Sequence, residues 1–200
     1  MCGRFYVDDD TAREIEKTIR KVDERLKHAK RTGDIHPTEK AAVIAAGERE
    51  LFLTEKRWGF PGFGNTGTII NTRAESVLEK KMFRESVLHC RLVIPATGFY
   101  EWNHEKEKVT FVAEDSRGQK QEVLYLAGFY GHFAGEDRFV ILTTAANESM
   151  RDVHDRMPLL FEEEEMKEWL LNRKRLEELL HKVPGPLKRK VEYEQQRLMF

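Results

Sequence analysis

The sequence predicts an α+β fold: a compact single domain with a curved or barrel-like mixed β-sheet and peripheral helices. Three observations predict it. Many short apolar runs lie between turn signals. Helical periodicity is confined to three separate stretches. No internal repeat or low-complexity linker divides the chain. Strands that outnumber helices without regular βαβ alternation point to α+β.

The elements follow in order. Asp8-Asp9-Asp10 offers capping oxygens and favourable charge at a helix start. Ile15, Ile19, Val22 and Leu26 then recur at helical spacing, with Gly33 as the stop. Ala41–Ala45 and Leu51–Thr54 read as strands, set off by Pro37 and Pro61-Gly62. A second helix is expected from Glu75 to Leu88, with Val77, Leu78, Met82, Phe83 and Val87 on its apolar side. Arg91–Ile94, Phe99–Trp102, Val109–Val112, Val123–Tyr130 and Phe139–Thr144 are further strands. Ser116-Arg117-Gly118 and Ala134-Gly135-Glu136-Asp137 supply turns between them. The third helix runs from Glu162 to His181, its acidic first turn suiting the helix dipole. Pro184-Gly185-Pro186 sets a C-terminal tail apart within a single domain spanning 1–200.

Composition narrows the function classes. The chain has 200 residues, 40% of them hydrophobic and 34% charged, enough to bury a core and too apolar for a disordered chain. No apolar run approaches the ~18 residues of a membrane span, and the first residues lack the apolar region of a secretory signal. Cys2 and Cys90 form no disulfide framework, which fits a reducing, cytoplasmic setting. A net charge of −1 gives no global attraction to nucleic acid or acidic membranes, so a nucleic-acid binder must gather its cations into a local groove. The seven histidines are scattered, with no C-x-x-C or H-E-x-x-H, so neither a metal nor another cofactor is expected. A monomer is the default.

Several residues could do chemistry. Loss of Met1 would leave Cys2 with a free α-amine and a thiol on adjacent carbons. Both groups are partly nucleophilic near neutral pH, with reference pKa values of ~7.7–8.0 and ~8.5. Such a 1,2-aminothiol attacks an aldehyde twice, first as a Schiff base and then by closing a thiazolidine ring. On its own, a cysteine at position 2 is also compatible with chance. Asn71-Thr72-Arg73-Ala74-Glu75-Ser76 packs an amide, a guanidinium and a carboxylate into a turn before a helix. It reads either as a helix cap with an Arg73–Glu75 ion pair or as a positioning amide beside a phosphate-binding arginine. Glu101 lies in Gly98-Phe99-Tyr100-Glu101-Trp102. A carboxylate desolvated among aromatic rings suits general acid/base work, whereas one on an outward face does not. Alternation puts Phe99, Glu101 and Asn103 opposite Tyr100 and Trp102, and leaves the choice open. Thr143-Thr144-Ala145-Ala146-Asn147 precedes His154-Asp155-Arg156-Met157-Pro158. His154 is a candidate proton carrier in a loop or a structural histidine, and Arg156 a partner for a phosphate or a carboxylate.

Taken together, Met1-Cys2-Gly3-Arg4-Phe5, Trp58-Gly59-Phe60, Asn71-x-Arg73-x-Glu75-Ser76, Pro95-x-x-Gly98-Phe99-Tyr100-Glu101-Trp102 and His154-x-Arg156-Met157-Pro158 resemble, in this order, the SRAP family, the SOS-response-associated peptidases that act on abasic sites in DNA. The resemblance implies that the protein removes its own Met1 and that Cys2 forms a thiazolidine with the ring-opened aldehyde of an abasic site. It implies that Glu101 helps open the sugar and move protons, that His154 is an acid/base in Schiff-base formation and reversal, and that Asn71 holds the Cys2 amine or the sugar. Arg4, Arg73 and Arg156 would grip phosphates, Thr143 would lie against the DNA, and Trp58 would stack on or wedge between bases. The implied partner is single-stranded DNA containing abasic sites, and the implied fold is a barrel-like mixed α/β domain. After Trp58-Gly59-Phe60 the family commonly continues with an aliphatic residue, Pro and a second Trp, where this chain has the shorter Pro61-Gly62-Phe63.

Three other readings compete. Glutamine amidotransferases also begin Met-Cys-Gly, with the thiol attacking an amide and the α-amine as base, which makes an N-terminal-nucleophile amidohydrolase the alternative. A non-catalytic module sheltering damaged single strands and a general cysteine protease using Cys2 and His154 are the others.

Overall fold

The computed structural model describes residues 2–19, 21–22, 26, 32–47, 50–62, 64, 66–113 and 123–191. In chain order the elements are β1 (Arg4–Val7), α1 (Asp9–Thr18), β2 (Lys21–Val22), β3 (Gly33–Ile35), β4 (Lys40–Ala46), β5 (Leu51–Trp58), β6 (Phe60–Pro61), β7 (Thr68–Ile69) and β8 (Asn71–Arg73). A 3-10 stretch, Ala74–Glu79, leads to α2 (Lys81–His89), β9 (Arg91–Ala96), β10 (Gly98–Trp102), β11 (Lys108–Ala113), β12 (Leu124–Phe133) and β13 (Glu136–Ala145). The chain then forms β14 (Arg156–Pro158), β15 (Leu160–Phe161), α3 (Glu163–Leu171), a 3-10 turn Arg173–Arg175, α4 (Leu176–Leu180) and β16 (Leu187–Val191).

The expected barrel is present. β13 pairs with β12, β12 with β9, β9 with β4, β4 with β5, and β5 returns to β13 in parallel through Arg138↔Arg57 and Phe139↔Trp58. These pairings close a ring of five strands, β13, β12, β9, β4 and β5. Its parallel and antiparallel ladders make the sheet mixed. β9 is buried from Leu92 to Ala96, as a strand with both faces covered must be. Phe129, Phe139, Val140 and Ile141 are likewise fully buried.

A second sheet has the order β16-β11-β10-β1-β3. The chain passes from barrel to second sheet at Thr97, between β9 and β10. Thr97 Oγ accepts from the Asp8 amide at 2.8 Å and donates to Thr11 Oγ at 2.7 Å, while its own amide donates to Tyr6 O. Gly98 completes this corner, because a Cβ there would lie 2.6 Å from Phe111 O and 2.7 Å from the Tyr6 ring. β1 is an inner strand between β10 and β3. The residues just ahead of it, Cys2 included, therefore start from a strand fixed on both sides.

Every expected strand is found, most with longer bounds, but the helices are shorter than their periodicity suggests. Asp8 caps α1 through Thr11 N as expected. That helix ends at Ile19, where the backbone turns extended, and Lys21–Val22 pairs in parallel with Phe52 and Leu53. Sheet pairing has overridden the helical pattern at Val22, and residues 20, 23–25 and 27–31 of that stretch lie outside the described residues. The Glu75–Leu88 helix is broken at Lys80, whose ψ of 109° is extended. The Glu162–His181 helix is broken at Asn172. Asn172 Oδ1 accepts from Lys174 N and Nδ2 donates to Glu168 Oε2, so this residue ends one helix and caps the next turn. Pro184-Gly185-Pro186 does not release a tail at once, since Leu187–Val191 adds to the edge of β11. The Ser116-Arg117-Gly118 turn lies outside the described residues.

Candidate functional site

Cys2 is fully buried at the head of β1. Its carbonyl accepts a 2.9 Å hydrogen bond from Asn71 Nδ2. Asn71 opens β8, which lies in parallel register on β13 with Asn71 opposite Ile141. The barrel thus holds the amide that grips Cys2, two residues ahead of the second sheet's strand β1. Asn71 Oδ1 is buried and accepts no hydrogen bond among the described residues, leaving an acceptor beside Cys2. The Cys2 thiol lies 3.6 Å from Arg4 O and donates to it. Burial first, and then the Glu101 carboxylate, push this thiol up to about 12. The thiol is therefore protonated at neutral pH.

Glu101 is only 5% exposed, which settles the alternation left open by the sequence. It sits on β10, on the inward face that also buries Phe99. Arg4 pairs with Tyr100, so the residues before Arg4 run past Glu101 toward Trp102. That register brings Glu101 and Cys2 within electrostatic reach.

His154 and the arginines form the other flank. The His154 side chain is 27% exposed, and its Nδ1 lies 2.9 Å from both the Arg156 amide and Asp155 Oδ1. When the Arg156 N–H donates to Nδ1, the neutral ring carries its proton on Nε2. Arg156 is held by Glu75 through both Nη atoms, at 2.8 and 2.9 Å, and by Thr143 O at 2.6 Å. This pair holds the Glu75 carboxyl below its ordinary range. Of the two partners weighed for Arg156 and Glu75, the structure pairs them with each other and leaves Arg73 exposed on β8. Arg4 stands 3.8 Å from Asp34 and 5.4 Å from the centre of the Trp102 ring.

Two expected DNA contacts are corrected by burial. Trp58 is 0% exposed. Its Nε1 donates to Ile70 O at 3.0 Å, and its ring packs on Phe5 and Phe139. It has no face to offer a base. Thr143 is also fully enclosed, with Oγ donating to Thr72 O, and its contribution is to hold Arg156.

An open groove of about 840 Å³ lies beside Asn71, lined by Arg73, Lys80, Lys81, Met82 and Phe83 among others. Its two lysines and the 39% exposed Met82 were not singled out as binding residues from sequence. One signal was available: Lys80 and Lys81 occupy the start of α2, with no acidic residue in its first turn. A helix dipole disfavours cations there, and a disfavoured charge pair invites a functional explanation. The exposed Trp102, stacked under Arg4, was likewise not assigned a role.

Residues 1–195 match the family described as SOS response associated peptidase (SRAP). The chain is 33% identical over 187 residues to the abasic site processing protein YoqW of Bacillus subtilis (strain 168), covering 85% of this chain and 80% of that one. It is 28% identical over 183 residues to the abasic site processing protein YedK of Escherichia coli (strain K12), covering 85% and 79%. A crystal structure of a protein from Bacteroides thetaiotaomicron superimposes with a TM-score of 0.78, covering 96% of this chain and 93% of that one at 22% identity, and so shares the fold.

Proposed function

The chain belongs to the SRAP family, and from that premise we propose that it is an abasic-site processing protein whose N-terminal Cys2 traps the damaged sugar covalently in single-stranded DNA. The observation that carries this reading is the convergence of Asn71 and Glu101 on Cys2 from two different sheets.

The chemistry runs in three stages. Hydrolysis of the Met1–Cys2 peptide bond consumes one water and frees the Cys2 α-amine. Glu101 takes the proton of the abasic-site hemiacetal hydroxyl as the ring C–O bond breaks and returns it to the ring oxygen, which leaves a C4′ hydroxyl and the C1′ aldehyde. The amine adds to that aldehyde, and loss of water gives the Schiff base, with His154 supplying the proton that leaves with the oxygen. The thiol then adds to the imine carbon. The new C–S bond closes the thiazolidine while the thiol proton ends on nitrogen. Asn71 Nδ2 fixes the Cys2 carbonyl, and Oδ1 accepts from the amine or a sugar hydroxyl. Because the resting thiol is protonated, the amine attacks first. Arg4, Arg73 and Arg156 hold flanking phosphates, and Lys80 and Lys81 extend that path along the groove.

The test pairs intact mass with a denaturing gel. The purified protein is incubated with a single-stranded oligonucleotide bearing one abasic site and with an undamaged control. Loss of Met1 and a heat-stable adduct only on damaged DNA, abolished by Cys2→Ala, is the expected result. A processed Cys2 that forms no adduct overturns the reading and brings glutaminase activity forward as the next assay.

A further inference from the structure

The proposed acid/base groups belong to two different sheets, and a set of side-chain bonds away from Cys2 ties those sheets together. Glu101 and the approach to Cys2 belong to the β1–β10–β11–β16 sheet, whereas His154 ends the loop that joins β13 to β14 in the barrel sheet. That loop closes on itself through Ala146 N to Asp155 O at 2.9 Å and His154 N to Met150 O at 3.0 Å. Its outer turn is bolted to the C-terminal segment. Asn147 Nδ2 donates to Pro184 O at 3.0 Å and Gly185 O at 2.8 Å. Asn147 Oδ1 accepts from the Ser149 amide and hydroxyl, and Ser149 Oγ accepts from Leu187 N at 3.0 Å. Arg189 donates through Nε to Ser149 O at 2.8 Å and through both Nη atoms to Asp152, at 2.7 and 2.6 Å.

Arg189 is paired across the ladder with Phe111 on β11, the strand that also pairs Val109 with Glu101. One short path of backbone ladder and side-chain bonds therefore runs from Glu101 through β11 and β16 to the His154 loop. The planar fork of Arg189 on the Asp152 carboxylate fixes orientation as well as distance.

We infer that the clasp between Pro184–Arg189 and the Asn147–Asp152 turn is positioning machinery that sets His154 against Cys2 and Glu101. Arg189, Asp152 and Asn147 act through His154 and touch no substrate. This inference rests on the acid/base reading of His154 given above.

The experiment is single-turnover crosslinking of the full-length protein to the abasic oligonucleotide over a range of DNA concentrations. Arg189→Ala is expected to lower the maximal rate on the order of 10-fold, as a small misplacement of a reacting group does. The half-saturating DNA concentration should stay unchanged, and Arg189→Lys should recover part of the rate. In a His154→Ala background, Arg189→Ala should cost nothing further. Asp152→Asn, made at an exposed carboxylate, should reproduce the pattern if Arg189→Ala fails to fold. A wild-type rate in Arg189→Ala and Asp152→Asn, or losses that multiply with His154→Ala, overturns the clasp while the His154 assignment stands. A wild-type rate in His154→Ala alone overturns the assignment, and the clasp with it.

Discussion

Arg156 and Glu75 meet side by side, with each guanidinium Nη within 2.9 Å of its own carboxylate oxygen. The pair joins β14 to the 3-10 stretch that follows Arg73. A carboxylate accepting two parallel N–H bonds occupies the geometry that a phosphate takes on arginine. Under the proposed function, in which Arg156 receives a DNA phosphate, Glu75 holds that anion's place.

Replacing Glu75 by Gln should accordingly strengthen binding of undamaged single-stranded DNA a few-fold, by removing a competing negative charge. Fluorescence anisotropy measures it directly. The cost in stability should be about 1 kcal/mol or less, because Glu75 is more than a third exposed and solvent screens the pair. That cost has a pH sign. The Glu75 carboxyl is held low in the folded state, so its contribution is present above the unfolded carboxyl pKa and fades as pH falls through the folded value. The wild-type advantage over Glu75→Gln in urea unfolding should shrink on acidification. Weaker DNA binding by Glu75→Gln would show instead that Glu75 orients Arg156.

Asn71 gives the second prediction. Its amide is the only side chain that donates to Cys2 O among the described residues. Asn71→Asp removes that donor and sets a second carboxylate beside Glu101 near the reacting carbon. Adduct formation should slow on the order of 10-fold to 100-fold, with the far-UV spectrum and thermal midpoint near those of wild type. An unchanged rate would remove Asn71 from the site.

The thiol supplies a third. With its value pushed up to about 12, Cys2 is almost wholly protonated at pH 8. Iodoacetamide should therefore modify it far more slowly than a free thiol of ordinary pKa, with the rate still rising at pH 10. Burial is the larger cause and Glu101 the smaller, so Glu101→Gln should speed modification without restoring ordinary reactivity. Peptide mapping by mass spectrometry separates Cys2 from Cys90. Fast modification of Cys2 at pH 8 would mean that the N-terminal residues open readily.

These residues differ in how far the sequence alone could place them. Alternation put Glu101 on the face of Phe99, but only the sheet shows that this face is inward. Asn71, Arg73 and Glu75 were legible as a cluster because they are neighbours in the chain. The Arg156–Glu75 pair was not, since 81 residues separate its members. Trp58 misled for a physical reason: a tryptophan beside glycine reads equally as an exposed wedge or as the filling of a barrel closure, and strand register decides which. The broken helices at Lys80 and Asn172 show the same limit, because apolar spacing persists across a break made by one extended residue.

The burial of Trp58 has its own consequence. It fills the point where β5 closes on β13, wedged between Phe5 and Phe139. Trp58→Ala should cost about 3–5 kcal/mol, the range for deleting a large buried ring, read as a lower urea midpoint at unchanged slope. Trp102→Ala, at a 37% exposed ring, should cost little stability and affect DNA binding instead. A stable Trp58→Ala variant with weakened DNA affinity would return Trp58 to the interface.

The groove beside Asn71 gives the last prediction, and salt dependence is its cleanest measure. Each cation that neutralises a phosphate of a single strand adds about 0.7 to the magnitude of the slope of log K against log salt. Lys81 and Arg73 are exposed on the groove wall, whereas Lys80 Nζ already donates to Thr72 Oγ at 3.2 Å and lies near the Phe83 ring. Lys81→Ala and Arg73→Ala should each reduce the slope by about 0.7, and Lys80→Ala by less. Neither loss should depend on an abasic site, because these side chains meet the backbone and not the aldehyde. A slope unchanged in both Lys81→Ala and Arg73→Ala would place the DNA elsewhere and detach the groove from the Cys2 chemistry. A slope reduced in all three by the same amount would mean that Lys80 gives up its threonine partner when the strand arrives.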